Sequence, residues 1–141
     1  MTTVTVRRIR GYQQEIIAGD HVIFVDEPPE IGGDDTGPNP YELLLGALGA
    51  CKSITVTMYA QRKRWDLQSV EVELTHAKDY IEDCQDCPEK DVKLDRITVK
   101  ITFTGILDAS QRQRLHDIAK RCPVHQTLTN TIRIVDVDPP V

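Results

Sequence analysis

Aromatic side chains are scarce in this 141-residue chain, at 5%, so no ladder of rings offers a stacking surface to single-stranded nucleic acid. Positive charge is not in excess either. The formal net charge is −5, which argues against a general binder of phosphate backbones. The short basic cluster "QRKRW" (residues 61–65) sits where a helix would end, and the negative end of that helix accounts for it without a ligand. No stretch is expected to reach the ~20 consecutive apolar residues that cross a bilayer. The opening "MTTVTVRRIR" has no uninterrupted apolar region of the kind a secretory signal needs. These shortages point to a cytoplasmic protein with neither a membrane nor a nucleic-acid partner.

What remains is ordinary for a globular protein: 28% charged and 40% hydrophobic residues. The length suits a single compact domain, residues 1–141, or a subunit whose core a partner completes. Four cysteines, Cys51, Cys84, Cys87 and Cys122, stand out. In a reducing compartment such cysteines are catalytic, metal-binding or buried rather than structural disulfides.

The chain from Met1 to Val25 reads as short strands. "MTTVTVRR" alternates, with Val4 and Val6 on one face. "GYQQEIIAGDHVIFVDE" reads as two strands around a hairpin turn at Gly19-Asp20. Residues 26–40, "DEPPEIGGDDTGPNP", hold four prolines and three glycines and must form a long loop, a type of segment that often carries function. Asn39, Pro40 and Glu42 then resemble a helix cap, first helical residue and capping box. The spacing predicts a helix to about Arg64, with Leu44, Ala47, Leu48, Cys51, Ile54, Thr55 and Met58 on one face. Gly46 and Gly49 weaken it and suggest a close neighbour, such as the same helix of a second copy. "LQSVEVELTHA" alternates as a strand with Val70, Val72 and Leu74 inward, and "DRITVKITFTG" does so with Ile97, Val99, Ile101 and Phe103. Between them "DYIEDCQDCPEKDV" is a polar loop or hairpin tip. An amphipathic helix capped by Asp108 or Ser110 follows, then a short helix with Cys122 as cap and Pro123 first, then a strand over "TIRIVDV". The order β-β-β-α-β-β-α-α-β is that of an α+β fold.

Each cysteine admits more than one reading. Cys51 on an apolar helix face is a core residue by default. Cys122, as a helix cap, would receive free N–H groups that lower a thiol pKa, with His125 three residues on placed to assist. Cys84 and Cys87 form a Cys-x-x-Cys, suited to dithiol exchange or to half of a zinc site with His76 as a third ligand. An inert exposed loop is the remaining reading for that pair. His21 and His116 are expected at the surface.

"GPNPYELLLGALGACKSITVTMYAQRKRW", followed far downstream by "QRLHDIAKRCPVHQTL", resembles the OsmC/Ohr family of thiol-dependent peroxidases. Two separated motifs occur in order, each with its cysteine, and the likeness covers most of the chain. "ELLLGALGAC", "MYAQRK" and "CPVH" bring it nearest to the OsmC-like branch typified by YhfA. The resemblance implies an OsmC-like fold and an intertwined homodimer, with long central helices wrapped by antiparallel sheets and active sites at the subunit seam. It implies that Cys51 attacks the O–O bond of an organic hydroperoxide and that Cys122 condenses with the resulting sulfenic acid to a disulfide. A small dithiol or lipoyl-type reductant would reset the pair. No cofactor and no resident metal are implied, and the role would lie in oxidative or osmotic stress defence.

The chain departs from the family pattern in two places. Family peroxidases steady the thiolate with an arginine, itself held by a glutamate directly after an Asn-Pro pair. Here Tyr41 stands at that place and Glu42 follows it. On a straight helix Glu42 lies ~180° around and ~13 Å along from Cys51, so contact requires the second subunit. The loop of residues 26–40 has no arginine, and Arg7, Arg8 and Arg10 carry no motif. An unassisted cysteine, with a pKa near ~8.5, is only slightly ionised at neutral pH. The site expected from the sequence is therefore Cys51, Cys122, Glu42 and His125, in a hydroperoxide reductase. The competing function is a non-enzymatic binder or redox sensor on the same scaffold, holding zinc through Cys84 and Cys87.

Overall fold

The computed structural model describes residues 1–80 and 93–137. It shows three helices and two antiparallel sheets, the α+β class expected. The chain divides into two compact units, residues 1–46 and 47–141.

In the first unit, β1 (Thr5–Arg10), β2 (Gln13–Ala18) and β3 (His21–Val25) form a meander in that order. Ala18 faces His21 across the two-residue turn at Gly19-Asp20, as the sequence indicates. The proline- and glycine-rich loop that follows is organised from within by Asp26. Its carboxylate is 2% exposed. It accepts hydrogen bonds from the backbone N–H of Glu27, Asp34 and Thr36 and from the Thr36 hydroxyl at 2.7 Å. Gly33 is required here, because a Cβ would stand 1.8 Å from the Glu27 carbonyl oxygen. The loop delivers the chain to α1 (Pro40–Lys63). Asn39 Oδ1 accepts from the Glu42 N–H and Glu42 Oε2 accepts from the Asn39 N–H, both at 2.9 Å, which completes the capping box.

In the second unit, β4 (Asp66–Tyr80) and β5 (Lys93–Ile106) form a long two-stranded sheet. Val70, Val72 and Leu74 are half-buried in alternation, as are Ile97, Val99 and Ile101, while Phe103 is buried. Two helices follow, α2 (Ala109–Ala119) and α3 (Pro123–Thr129). Asp108, not Ser110, caps α2, in a reciprocal box with Gln111. Arg112 ties the start of α2 to the end of β5 by donating to the carbonyls of Phe103 and Gly105. The core joins Val56 and Ala60 of α1, Phe103 of β5, and Leu115, Ile118 and Ala119 of α2.

The structure corrects several expectations. Residues 131–137, expected as a strand, form none. Ile134 and Val137 are 86% and 85% exposed, because a strand requires a ladder and no strand among the described residues is hydrogen-bonded to them. The buried stripe of α1 is Leu48, Gly49, Lys52, Val56 and Ala60, whereas Leu44, Ile54 and Met58 are exposed. Gly49 admits Leu74 of β4, whose Cδ1 would stand 2.7 Å from a Cβ there, and Gly46 meets nothing within 4 Å. The neighbour at Gly49 is thus a strand of the same chain. His116 is half-buried and packs edge-on against Phe103, with 4.9 Å between ring centroids. By length and composition α1 is long and apolar enough to cross a bilayer, with a mean hydropathy of 1.4. Its buried stripe faces protein, so this measure alone carries no membrane assignment.

Two outcomes follow from this packing. Leu115 is fully buried in the core, so Leu115→Ala is expected to cost about 2–5 kcal/mol, read by chemical denaturation. The Thr36 hydroxyl, with help from the three backbone N–H groups, holds the Asp26 carboxyl below its ordinary value of 3.8. That stabilisation is complete above the unfolded pKa and is lost as pH falls through the folded one. Asp26→Asn should lower the thermal midpoint at pH 7 and flatten its decline below about pH 4. Superimposable acid limbs for the two proteins would contradict this role.

Candidate functional site

The site is built where α1 passes the ends of α2 and α3. Positions 48, 52, 56 and 60 repeat every four residues and so share one face of α1. Three of them carry Leu48, Val56 and Ala60; the fourth is Lys52, which is only 3% exposed. A buried ammonium must find partners. Lys52 Nζ donates to the Ala119 carbonyl oxygen at 3.0 Å and to His125 Nδ1 at 2.9 Å. Ala119 is the last residue of α2, so its carbonyl belongs to the final turn, which lacks intrahelical partners. Lys52 thereby satisfies the negative end of one helix and fixes a side chain of the next.

Cys122 is the N-cap of α3 and is fully buried; its Sγ accepts the His125 backbone N–H at 3.3 Å. Cys51 precedes Lys52 on α1 and is half-buried. Its carbonyl accepts the Thr55 hydroxyl at 2.8 Å. The two thiols are electrostatic neighbours: Cys51 helps to raise the Cys122 pKa. The structure brings Lys52, His125 and Cys122 together, with Cys51 adjoining Lys52 on α1. Glu42 is engaged in the cap of α1.

Burial sets the electrostatics. It lowers the Lys52 pKa below 10.5, while negative charge on Cys122 or Cys51 raises it and Lys120 lowers it further. Burial also lowers the His125 pKa, assisted by Lys52 and Lys120. A neutral ring suits its part as acceptor at Nδ1. The sequence led us to expect a lowered Cys122 pKa. Instead burial raises it above 9.0; the His125 N–H and Lys52 pull the other way, and Cys51 adds to the rise. A single long N–H contact does not offset complete desolvation.

His125 lines two cavities. One, of about 500 Å³, also exposes Lys52, Val99, Ile101 and Lys120. The other, of about 230 Å³, is walled by Leu48, Ile97 and Leu128. Both cavities combine apolar side chains with polar ones, a mixture that small-molecule sites use.

Lys52 was missed in the sequence because a charged residue on a helix is usually solvated. The signal was its place in the four-residue stripe of Leu48, Val56 and Ala60. Cys84 and Cys87, weighed as a dithiol or half a zinc site, lie outside the described residues. His76, considered as their companion, makes a 2.7 Å contact with Asp95. No cluster of three metal-ligating side chains occurs among the described residues.

The OsmC-like protein family matches residues 32–135. The chain belongs to the OsmC-like family. Solved structures agree with it over nearly their whole length. The OsmC-like protein of Mycoplasma pneumoniae superposes with a TM-score of 0.73 at 21% identity, covering 91% of this chain and 86% of that one. The organic hydroperoxide resistance protein OhrB of Bacillus subtilis gives 0.61 at 20%, covering 92% and 90%. An organic hydroperoxide resistance protein OsmC of Legionella pneumophila gives 0.63 at 17%, covering 90% and 89%. No curated protein matches the sequence significantly. At these identities the likeness shows an OsmC-like fold.

The difference in burial between the two thiols is directly measurable. Brief treatment with iodoacetamide at neutral pH should carboxamidomethylate Cys51 ahead of Cys122, as read by peptide mass mapping. Equal labelling of the two would show that Cys122 is not shielded.

Proposed function

We propose that this OsmC-like protein is a thiol-dependent hydroperoxide reductase that uses Cys51 as the attacking thiol and Cys122 as its resolving partner. The observation that carries this reading is the meeting of two cysteines, far apart in the chain, beside a buried ammonium. Cys51 is the accessible member and Cys122 the sheltered one, which suits attack and resolution respectively. Lys52 supplies the positive charge for which the sequence offered no arginine. The apolar walls beside His125 suit the organic part of the peroxide, and a small dithiol or lipoyl-type compound would return the disulfide to thiols. Relatives named for organic hydroperoxide resistance make this chemistry the natural choice within the family.

The working form is a cytoplasmic homodimer of a single OsmC-like domain in each chain. Ile54 and Met58 on α1, 59% and 64% exposed, and the uncovered apolar residues of 131–137 are surfaces that a second copy would cover. In this scheme Glu42 closes the helix cap of its own chain.

Reduced protein mixed with cumene hydroperoxide should lose two thiols per chain and gain a Cys51–Cys122 bridge, identified by mass spectrometry of non-reduced peptides. Cys51→Ser should abolish consumption of the peroxide. Cys122→Ser should still react once, stopping at a sulfenic acid that dimedone traps. Persistence of all thiols in the wild-type protein would refute the assignment.

A further inference from the structure

We propose that Lys52 is the proton carrier of this thiol pair, giving a proton to each departing oxygen, and is more than a fixed positive charge. The inference rests on the hydroperoxide reductase reading and adds a catalytic residue to it.

The placement supports this. Lys52 adjoins Cys51 on α1, is 3% exposed, and directs one N–H at the Ala119 carbonyl and another at His125 Nδ1. An ammonium has three donors, so one is left over on a nitrogen whose charge is felt by both Cys51 and Cys122. The acceptors on its other two sides are both neutral. Nothing in that arrangement locks the proton in place as a carboxylate partner would. The surrounding charges come from every neighbouring element: Cys51 on α1, Lys120 after α2, Cys122 and His125 at α3, and Lys100 of β5 and His116 of α2 on the walls of the shared cavity. The ionisable nitrogens around it bear positive charge or none, and they favour release of a proton from Lys52. Its pKa, below that of a free lysine, moves it toward the range in which an amine can both give and take a proton.

The Cys51 thiolate attacks the distal oxygen of ROOH; an S–O bond forms, the O–O bond breaks, and the alkoxide leaves with the electron pair. Lys52 protonates it to ROH and becomes a neutral amine. Cys51 is now a sulfenic acid, oxidised as the peroxide is reduced. The amine then takes the proton of the Cys122 thiol. The Cys122 thiolate attacks the Cys51 sulfur; the S–S bond forms, the S–O bond breaks, and the departing hydroxide receives that proton from Lys52 to become water. Lys52 ends as the amine and regains its proton when a dithiol reduces the bridge. His125 is a positioning residue: it holds the Lys52 nitrogen through Nδ1 and faces both cavities. The raised pKa of Cys122 gives this scheme its need, because a buried thiol that resists ionisation requires a base beside it.

Lys52→Arg separates charge from proton transfer, since guanidinium keeps its proton throughout. Stopped-flow oxidation of reduced protein by cumene hydroperoxide is followed from pH 6 to 10.5, with iodoacetamide alkylation of Cys51 as the control for thiolate content. In the wild type the oxidation rate should rise as thiolate forms and fall again on an alkaline limb below 10.5. In Lys52→Arg the alkylation profile should be retained, while oxidation falls about 10²-fold or more and the alkaline limb disappears. In Lys52→Ala, added methylammonium should restore part of the rate, more acidic amines doing so more effectively. The wild type alone gives another reading: oxidation should be slower in D2O at matched thiolate content. A Lys52→Arg protein with wild-type rate and alkaline limb, or a wild type without a solvent isotope effect, overturns the proposal while leaving the peroxidase intact. A wild type that does not consume the hydroperoxide overturns both.

Discussion

An ammonium group cannot be buried without recompense, and the second unit of this protein is arranged around that constraint. Lys52 sits in the apolar stripe of α1 because two helix ends converge on it: the last carbonyl of α2 and the imidazole that opens α3. Each of the three helices is thereby bound to the others at one nitrogen. The charge on the same nitrogen is felt by the two thiols, so the contact that orients the helices also bears on the electrostatic environment of the cysteines. Removing it would leave an unpartnered carbonyl, an unanchored histidine and two thiols in a drier, less polar setting.

Burial, more than any single hydrogen bond, decides how the groups here titrate. Cys122 caps a helix, a position that ordinarily favours thiolate. It is nonetheless held toward the neutral form, because full desolvation outweighs one N–H at 3.3 Å. Lys52 and His125 are moved in the matching direction, toward their neutral forms, and for the same leading reason. Cys122, raised from 9.0, and Lys52, lowered from 10.5, are thus drawn toward each other, which eases passage of a proton between them, while His125 is moved further below both.

Much of this was legible in the sequence. Hydrophobic alternation located β4 and β5, the Gly-Asp turn fixed the β2–β3 hairpin, and Asn39 with Glu42 marked the start of α1. The cysteines were legible as a pair through family resemblance, since no local pattern joins residue 51 to residue 122. Three features were not. Lys52 looked like a solvated residue beside the conspicuous Cys51, and its partners are contributed by residues far along the chain. The face of α1 was misread because Ile54 and Met58 are as apolar as the residues that are buried in their place. Residues 131–137 have the composition of a strand, but composition does not supply the neighbouring backbone that a strand requires.

The distance along the chain between the two cysteines carries its own consequence. A covalent link between Cys51 and Cys122 would close a ring of about 70 residues, and rings of that size restrict the unfolded polymer by about 4 kcal/mol in the chain-entropy picture. Oxidation and resistance to unfolding are then thermodynamically linked. Whatever the native fold gains from closing the ring must also be overcome by the reductant that reopens it. The ring spans β4, β5 and α2, so its tightening would be felt throughout the sheet and helix that carry the core.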